Sequence, residues 1–210
     1  MANANKRHRP ISDEPISAAA IGECQSLKGT VYLAPYDAQW PHLFAQLKDR
    51  VQEALGQNVL LLEHVGSTAV PGLAAKPIID MVLAVADSSD EAAYVDALAK
   101  EGFVLRIREP DWCEHRLFKY GEPKANLHVF SKGCAEIERM LLFRDWLRAH
   151  DDERLLYEKT KRELAARTWQ HTQAYAEAKT EVIKQILARA RLLSESENRP
   201  PAGLADHRQC

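Results

Sequence analysis

The chain has 210 residues, 46% of them apolar and 28% charged, with a formal net charge of −2. That balance fits one substantial soluble domain and gives no electrostatic reason to expect a nucleic acid or a membrane surface as partner. The four cysteines, Cys24, Cys113, Cys134 and Cys210, show neither a C-x-x-C pair nor zinc-finger spacing, and no apolar run reaches signal-peptide or transmembrane length, so reduced thiols and a cytoplasmic address are expected.

Residues 1–29 carry Asn, Ser, Pro and scattered charge without an apolar period, and are expected to form a disordered arm. From Asp37 onwards, Trp40, Leu43, Phe44, Leu47, Val51 and Leu55 fall at helical spacing. With Asp37 as N-cap and Pro41 in the first turn, they predict an amphipathic helix that covers a sheet. Two apolar runs, at 59–62 and 78–85, read as buried strands, the second broken only by Asp80. Ser88-Ser-Asp-Glu91 has capping-box spacing and predicts a helix reaching Lys100, closed by Gly102.

Strands are predicted at 103–108, 115–120 and 126–130, an antiparallel meander with turns at Pro110-Asp111 and Gly121-Glu-Pro123. Phe103, Leu105 and Ile107 alternate with Arg106 and Arg108, and Leu127 and Val129 alternate with Asn126 and His128. If both polar faces look the same way as Asp80, basic groups and an imidazole surround the acid; sequence alone does not fix that register. Helices are predicted near 135–149, 152–167 and 171–193, and a disordered tail at 194–210, leaving a folded unit over 30–193.

The chemistry concentrates in His64-Val-Gly-Ser-Thr-Ala-Val-Pro-Gly-Leu-Ala-Ala-Lys-Pro-Ile-Ile-Asp80. Gly66, Ser67 and Thr68 form a small-residue turn whose amides and hydroxyls can approach an anion closely. Pro71-Gly72 turns the loop, and Lys76 sets a cation just ahead of the acid-bearing strand. Burying the Asp80 carboxylate costs several kcal/mol, roughly, unless a cation or hydrogen bonds answer it. The plain alternatives are a tight turn and a structural salt bridge at a strand end, and His64 reads as a ligand or, in preference, a satisfied strand-end histidine. Arg144 projects from the apolar arc of Ile137, Met140, Leu141 and Leu147, with Arg148 close by, and Lys179 lies among Tyr175, Val182, Ile183 and Ile186. Structural ion pairs, Arg144 with Asp145 or Asp80 among them, and anion binding both stay open.

The order of an apolar run, Gly-Ser and then an acid inside a strand resembles the signature of the nucleotidyltransferase superfamily, and the full string looks like the GrpB family. Phe143-Arg-Asp145 with Leu147-Arg148, Tyr157 with Lys161, and Tyr175 with Lys179 are similar to the same family, so the resemblance covers nearly all of 31–190. It implies an α/β (α+β) fold: a nucleotidyltransferase-like mixed β-sheet with flanking helices and a helical C-terminal half. It further implies that Gly66, Ser67, Thr68 and Lys76 bind phosphate, and that Arg116 or Arg144 neutralises a leaving pyrophosphate. Asp80 and His128 are then the catalytic residues and the ligands of Mg²⁺.

The chain departs from the superfamily where a second acid is expected in Asp-x-Asp, because that place is Val82; His128 stands at the best match to the third acid. GrpB-like domains also occur fused to a dephospho-CoA kinase, and without a G-x-x-x-x-G-K-[ST] loop this chain reads as the stand-alone form. Three functions stand open: Mg²⁺-dependent nucleotide transfer to a small molecule, binding of a nucleotide or other phosphorylated small molecule without catalysis, and a scaffold with an internal charge network. The acceptor, the base preference and the oligomeric state are not legible in the sequence.

Overall fold

The computed structural model describes residues 31–168 and 178–197, together with Ile21 and Tyr175. The disordered arm expected over 1–29 therefore lies outside the described residues apart from Ile21. Of the expected tail only 194–197 are described, as the end of a helix.

In chain order the elements are α1 (Trp40–Leu55), β1 (Leu61–Val65), β2 (Ile79–Val85), α2 (Val95–Lys100), β3 (Val104–Glu109), β4 (His115–Tyr120), β5 (Ala125–Ser131), α3 (Ala135–Ala149), α4 (Asp151–Ala165) and α5 (Thr180–Glu197). The strands form one five-stranded mixed sheet in the order β1-β2-β5-β4-β3. Only β2 and β5 run parallel, and the other neighbours are antiparallel. The sheet is mixed and flanked by helices, as expected.

The two-residue period of β2 divides the core. Ile79, Met81, Leu83 and Val85 face α1 with Leu127, Val129 and Phe118, against Trp40, Leu47, Val51 and Leu55. Val82 and Ala84, with Phe130, face the other way under Ile137 of α3. Because Asp80 pairs with Asn126 and Val82 with His128, Asp80, Asn126 and His128 share this second face. Among the described residues no helix is long and apolar enough to cross a membrane.

Local departures have identifiable causes. Asp37 does not cap α1 directly; its Oδ1 accepts from the Gln39 N–H at 2.8 Å and sets the turn leading into Trp40. The capping box at 88–91 fails because Ser88 is buried, its N–H and hydroxyl both 2.9 Å from Ser131 Oγ, while the Tyr94 hydroxyl donates to its carbonyl. A 3₁₀ turn, Glu91–Ala93, precedes the shorter α2. In β3 the register shifts between Leu105 and Ile107, so Leu105 opposes Phe118 whereas Arg108 opposes Arg116. One extra residue in a strand reverses its faces. Arg108 and Arg116 therefore lie on the α2 side, where Glu91 Oε1 accepts from both Nε atoms at 2.6 Å. α5 continues to Glu197, past the expected end at 193.

α3 is tied to β1 by Arg144, whose Nη1 donates to Glu63 Oε2 at 2.8 Å and to the His64 carbonyl at 2.9 Å. Its Nε and Nη2 engage Asp145 at 2.8 and 3.0 Å. Of the two partners expected, Asp145 is found, and Glu63 on the neighbouring strand takes the place of Asp80. Arg144→Met should cost about 1–3 kcal/mol, the range for stranding a buried carbonyl such as that of His64. Urea unfolding measures this, and an unchanged midpoint would mean that the tie carries no stability.

Candidate functional site

β1 ends at Val65, directly opposite Asp80 of β2. The chain leaves through Gly66 at φ 70°, and a Cβ built there would lie 2.5 Å from Asp80 Oδ2. Only glycine lets the backbone rest against that carboxylate. The next residues, Ser67–Ala69, form a 3₁₀ turn. The Thr68 hydroxyl donates to the Ile78 carbonyl at 3.2 Å, so its oxygen must accept the proton of His64 Nε2, 3.0 Å away. That assigns His64 a neutral ring protonated on Nε2. Burial, followed by the charges of Arg148 and Arg144, pushes its pKa down to about 4, and Phe44 stacks on its face. His64 is a satisfied strand-end histidine, as read from the sequence. The Thr68 hydroxyl is a bracket that closes the loop on itself, its one proton engaged by the Ile78 carbonyl.

Helical side chains grip the remainder of the loop. Arg148 Nε donates to the Ala69 carbonyl at 2.9 Å, Lys161 Nζ donates to the Ala74 carbonyl, and the Ala74 N–H reaches Glu158 Oε2 at 3.3 Å.

Asp80 is half-buried, and its Oδ1 accepts from Asn126 Nδ2 at 2.8 Å. Desolvation raises its pKa above the ordinary carboxylate value, against the Asn126 hydrogen bond and the positive charges of Lys179 and Lys76. Lys76 Nζ and Lys179 Nζ sit 4.7 and 4.8 Å from the centre of the same Tyr175 ring, and Lys161 sits 4.9 Å from that of Tyr157. Lys161 is lowered to about 7, first by burial and then by Lys179. Burial and Lys179 depress Lys76 in the same way. The Tyr157 phenol is pushed up to about 12 chiefly by burial, with Ser67 and Arg139 acting against that rise and Asp80 adding to it. Among the described residues no carboxylate lies within ion-pair distance of Lys76, Lys161 or Lys179.

Of the residues singled out in the sequence, the structure brings Gly66, Ser67, Lys76 and Asp80 together. Arg116 lies on the opposite face of the sheet, held by Glu91 at 2.6 Å and Glu114 at 3.3 Å. Arg144 is the structural tie described above. The position level with Asp80 on β5 is Asn126, and His128 stands two residues further along with its Nδ1 3.1 Å from His115 Nε2. Sequence reasoning placed Tyr157, Lys161, Tyr175 and Lys179 in the family pattern without assigning them to the site. The repeated Tyr-x-x-x-Lys spacing, which stacks the two side chains on one helix face, was the available signal.

A resident Mg²⁺ does not fit this donor set. The ion needs several oxygen ligands in near-octahedral array, whereas the neighbours of Asp80 are an amide N–H and ammonium groups. Val82, at the second-acid position, is fully buried in the apolar cluster. Among the described residues no group of three or more His, Cys, Asp or Glu side chains converges.

Because the folded pKa of Asp80 is raised, folding favours its protonated form. The cost of holding it charged is absent well below its ordinary value of 3.8 and grows to its full size as pH rises through that value and then through the raised one. Asp80→Asn should therefore stabilise the ligand-free protein at pH 7 by about 0.5–2 kcal/mol, with the gain shrinking as the pH falls through the raised pKa and gone well below 3.8. Thermal melts across pH check this. A destabilised variant at pH 7 would make Asp80 a structural counter-charge.

Residues 30–189 match the family described as "GrpB protein". A UPF0157 protein of Halalkalibacterium halodurans is 50% identical over 86% of this chain and 93% of its own. Another, of Streptomyces coelicolor, is 43% identical over 90% of this chain and 97% of its own. The crystal structure of conserved protein GrpB from Enterococcus faecalis aligns at a TM-score of 0.66 and 26% identity, over 78% of this chain and 99% of that one. On the family match and on these identities, the chain belongs to the GrpB family.

Proposed function

We propose that the chain binds a phosphorylated small molecule, of the nucleotide class, between the Gly66-Ser67 turn, Asp80 and the surrounding lysines. The observation that carries this reading is the imbalance of charge: Lys76 and Lys179 share the single carboxylate Asp80, and, after burial, the charge of Lys179 depresses both Lys76 and Lys161. Like charges held together in a partly desolvated space raise the free energy of the empty site. A phosphate group, with about −1.5 to −2 charge at neutral pH, relieves that repulsion and gains charge-assisted hydrogen bonds. In this reading Asp80 keeps Lys76 and Lys179 protonated, since its charge raises both.

Binding is favoured over metal-dependent nucleotide transfer by the side chains themselves. Val82 is sealed in the core, and around Asp80 stand an Asn126 N–H that donates to it and the positive charges of Lys179 and Lys76, none of them a metal co-ligand. Calorimetry with ATP and with pyrophosphate, each in EDTA and in Mg²⁺, tests the choice. Both should bind in EDTA, and Lys76→Met should weaken them at least about tenfold, near 1.4 kcal/mol, without lowering the melting temperature. Binding that appears only with Mg²⁺ would favour the transferase. No binding under either condition would leave the internal charge network as the explanation.

A further inference from the structure

The strands β3, β4 and β5 carry a second hydrogen-bonded series that phosphate binding does not use. Glu109 Oε2 lies 2.8 Å from His115 Nδ1, and His115 Nε2 lies 3.1 Å from His128 Nδ1. Glu109 is opposite His115 in the β3–β4 ladder. The His115 ring is nearly closed off from solvent, at 3% exposure. It stacks on His128 at 5.2 Å and on Phe130 at 4.7 Å, with Trp112 edge-on at 5.1 Å, so it cannot turn away. Just before it, Cys113 and Glu114 both hold left-handed backbone, φ 57° and 49°. Non-glycine residues adopt that conformation at a cost of order 1–3 kcal/mol each, so the turn is bent to deliver His115 to this place.

The protons in this series follow from the donor inventory. A carboxylate only accepts, so His115 donates from Nδ1. With both rings neutral, His115 Nε2 carries a lone pair, and the proton between the two rings belongs to His128 Nδ1. A neutral His128 protonated there has its remaining lone pair on Nε2, on the side of the ring away from His115. His128 keeps accessible surface on the face it shares with Asp80 and Asn126. It stands two residues beyond the Asp80 level, about 7 Å along the strand. Burial, then His115, then Arg139 of α3, itself paired with Glu136 at 2.7 Å, hold the His128 pKa down to about 3, so the ring is neutral at physiological pH.

We propose that Glu109 and His115 are positioning residues that fix His128 as the Nδ1–H tautomer, so that its Nε2 lone pair accepts a hydrogen bond from a hydroxyl of the molecule bound beside Asp80. The inference rests on the phosphate-ligand reading and narrows it: the occupant carries phosphate at the Lys76 and Lys179 end and a hydroxyl donor about one dipeptide step away. A site built to hydrogen-bond a substrate hydroxyl discriminates strongly against ligands lacking it, because its own polar group would be stranded.

Long-range ¹H–¹⁵N correlation of histidine-labelled full-length protein at pH 7.5 reads the tautomer directly. His128 should appear neutral with its proton on Nδ1. A proton on Nε2, or a cationic ring, overturns the proposal without any variant. Glu109→Leu removes the acceptor of His115 Nδ1 and should move the His128 proton to Nε2; an unmoved proton would mean that Glu109 does not set the tautomer. Adding ATP should shift the His128 Nε2 resonance, whereas pyrophosphate should bind without shifting it. ATP that binds by calorimetry and leaves Nε2 unmoved would overturn the hydroxyl role alone. If neither compound binds, the phosphate reading fails and the hydroxyl role falls with it, whatever the tautomer.

Discussion

The backbone of the connection between β1 and β2 has to find hydrogen-bond partners while it runs between the sheet and the C-terminal helices. Each carbonyl or N–H stranded there would cost about 1–3 kcal/mol. Pro71 and Pro77 reduce the need by carrying no N–H. The Ala34–Ala75 bridge, with bonds of 2.8 and 2.9 Å, answers one residue. Thr68, Arg148, Lys161 and Glu158 answer others from within the loop and from α3 and α4. The helices are therefore partners of the loop as much as covers for the sheet, and moving either would strip the turn that carries Gly66 and Ser67.

The molecule uses its two kinds of cation differently. Arginines at the internal junctions meet carboxylates in planar pairs: Arg116 and Arg108 on Glu91, Arg144 on Asp145 and Glu63, Arg189 on Glu153. Their fork geometry suits fixed joints. Lys76 and Lys179, the ammonium groups that feel Asp80, instead sit over the face of Tyr175, a contact worth about 0.5–2 kcal/mol that leaves the charge free to meet an anion, while Lys161 sits over Tyr157 and donates to the Ala74 carbonyl. Lysine also responds to burial by shifting its pKa, as Lys161 does, so these cations are adjustable where the arginines are not.

Much of this was legible where the information is local. The strand run around Asp80 and the helix at 135–149 follow from apolar period alone, and Gly66, Ser67, Lys76 and Asp80 lie within one stretch of chain. What failed depended on strand pairing. Arg116 moved to the far face because pairing, not alternation within one strand, sets which way a residue looks, and the bulge in β3 carried Arg108 to the same side. The position level with Asp80 turned out to be Asn126 because the parallel register of β2 and β5 is chosen by the packed core. Lys161 and Lys179 reach the site from α4 and from the residue before α5, and no local pattern gives that convergence. Thr68 looked like an anion contact until its geometry with His64 and Ile78 accounted for its only proton.

The outer strands of the sheet are β1 and β3. An open edge exposes a row of N–H and C=O groups on which a strand from another molecule can template itself. At β1 the edge is only five residues long, and Glu63, clamped by Arg144, puts charge at its centre. At β3 the bulge twists the ladder beside exposed Arg106 and Arg108, and the Arg106 carbonyl already accepts from the Ile21 N–H at 2.7 Å. Arg144 thus has a second consequence beyond anchoring a helix: by holding a carboxylate on the rim of the sheet, it keeps that rim from recruiting a foreign strand and seeding fibrous self-association.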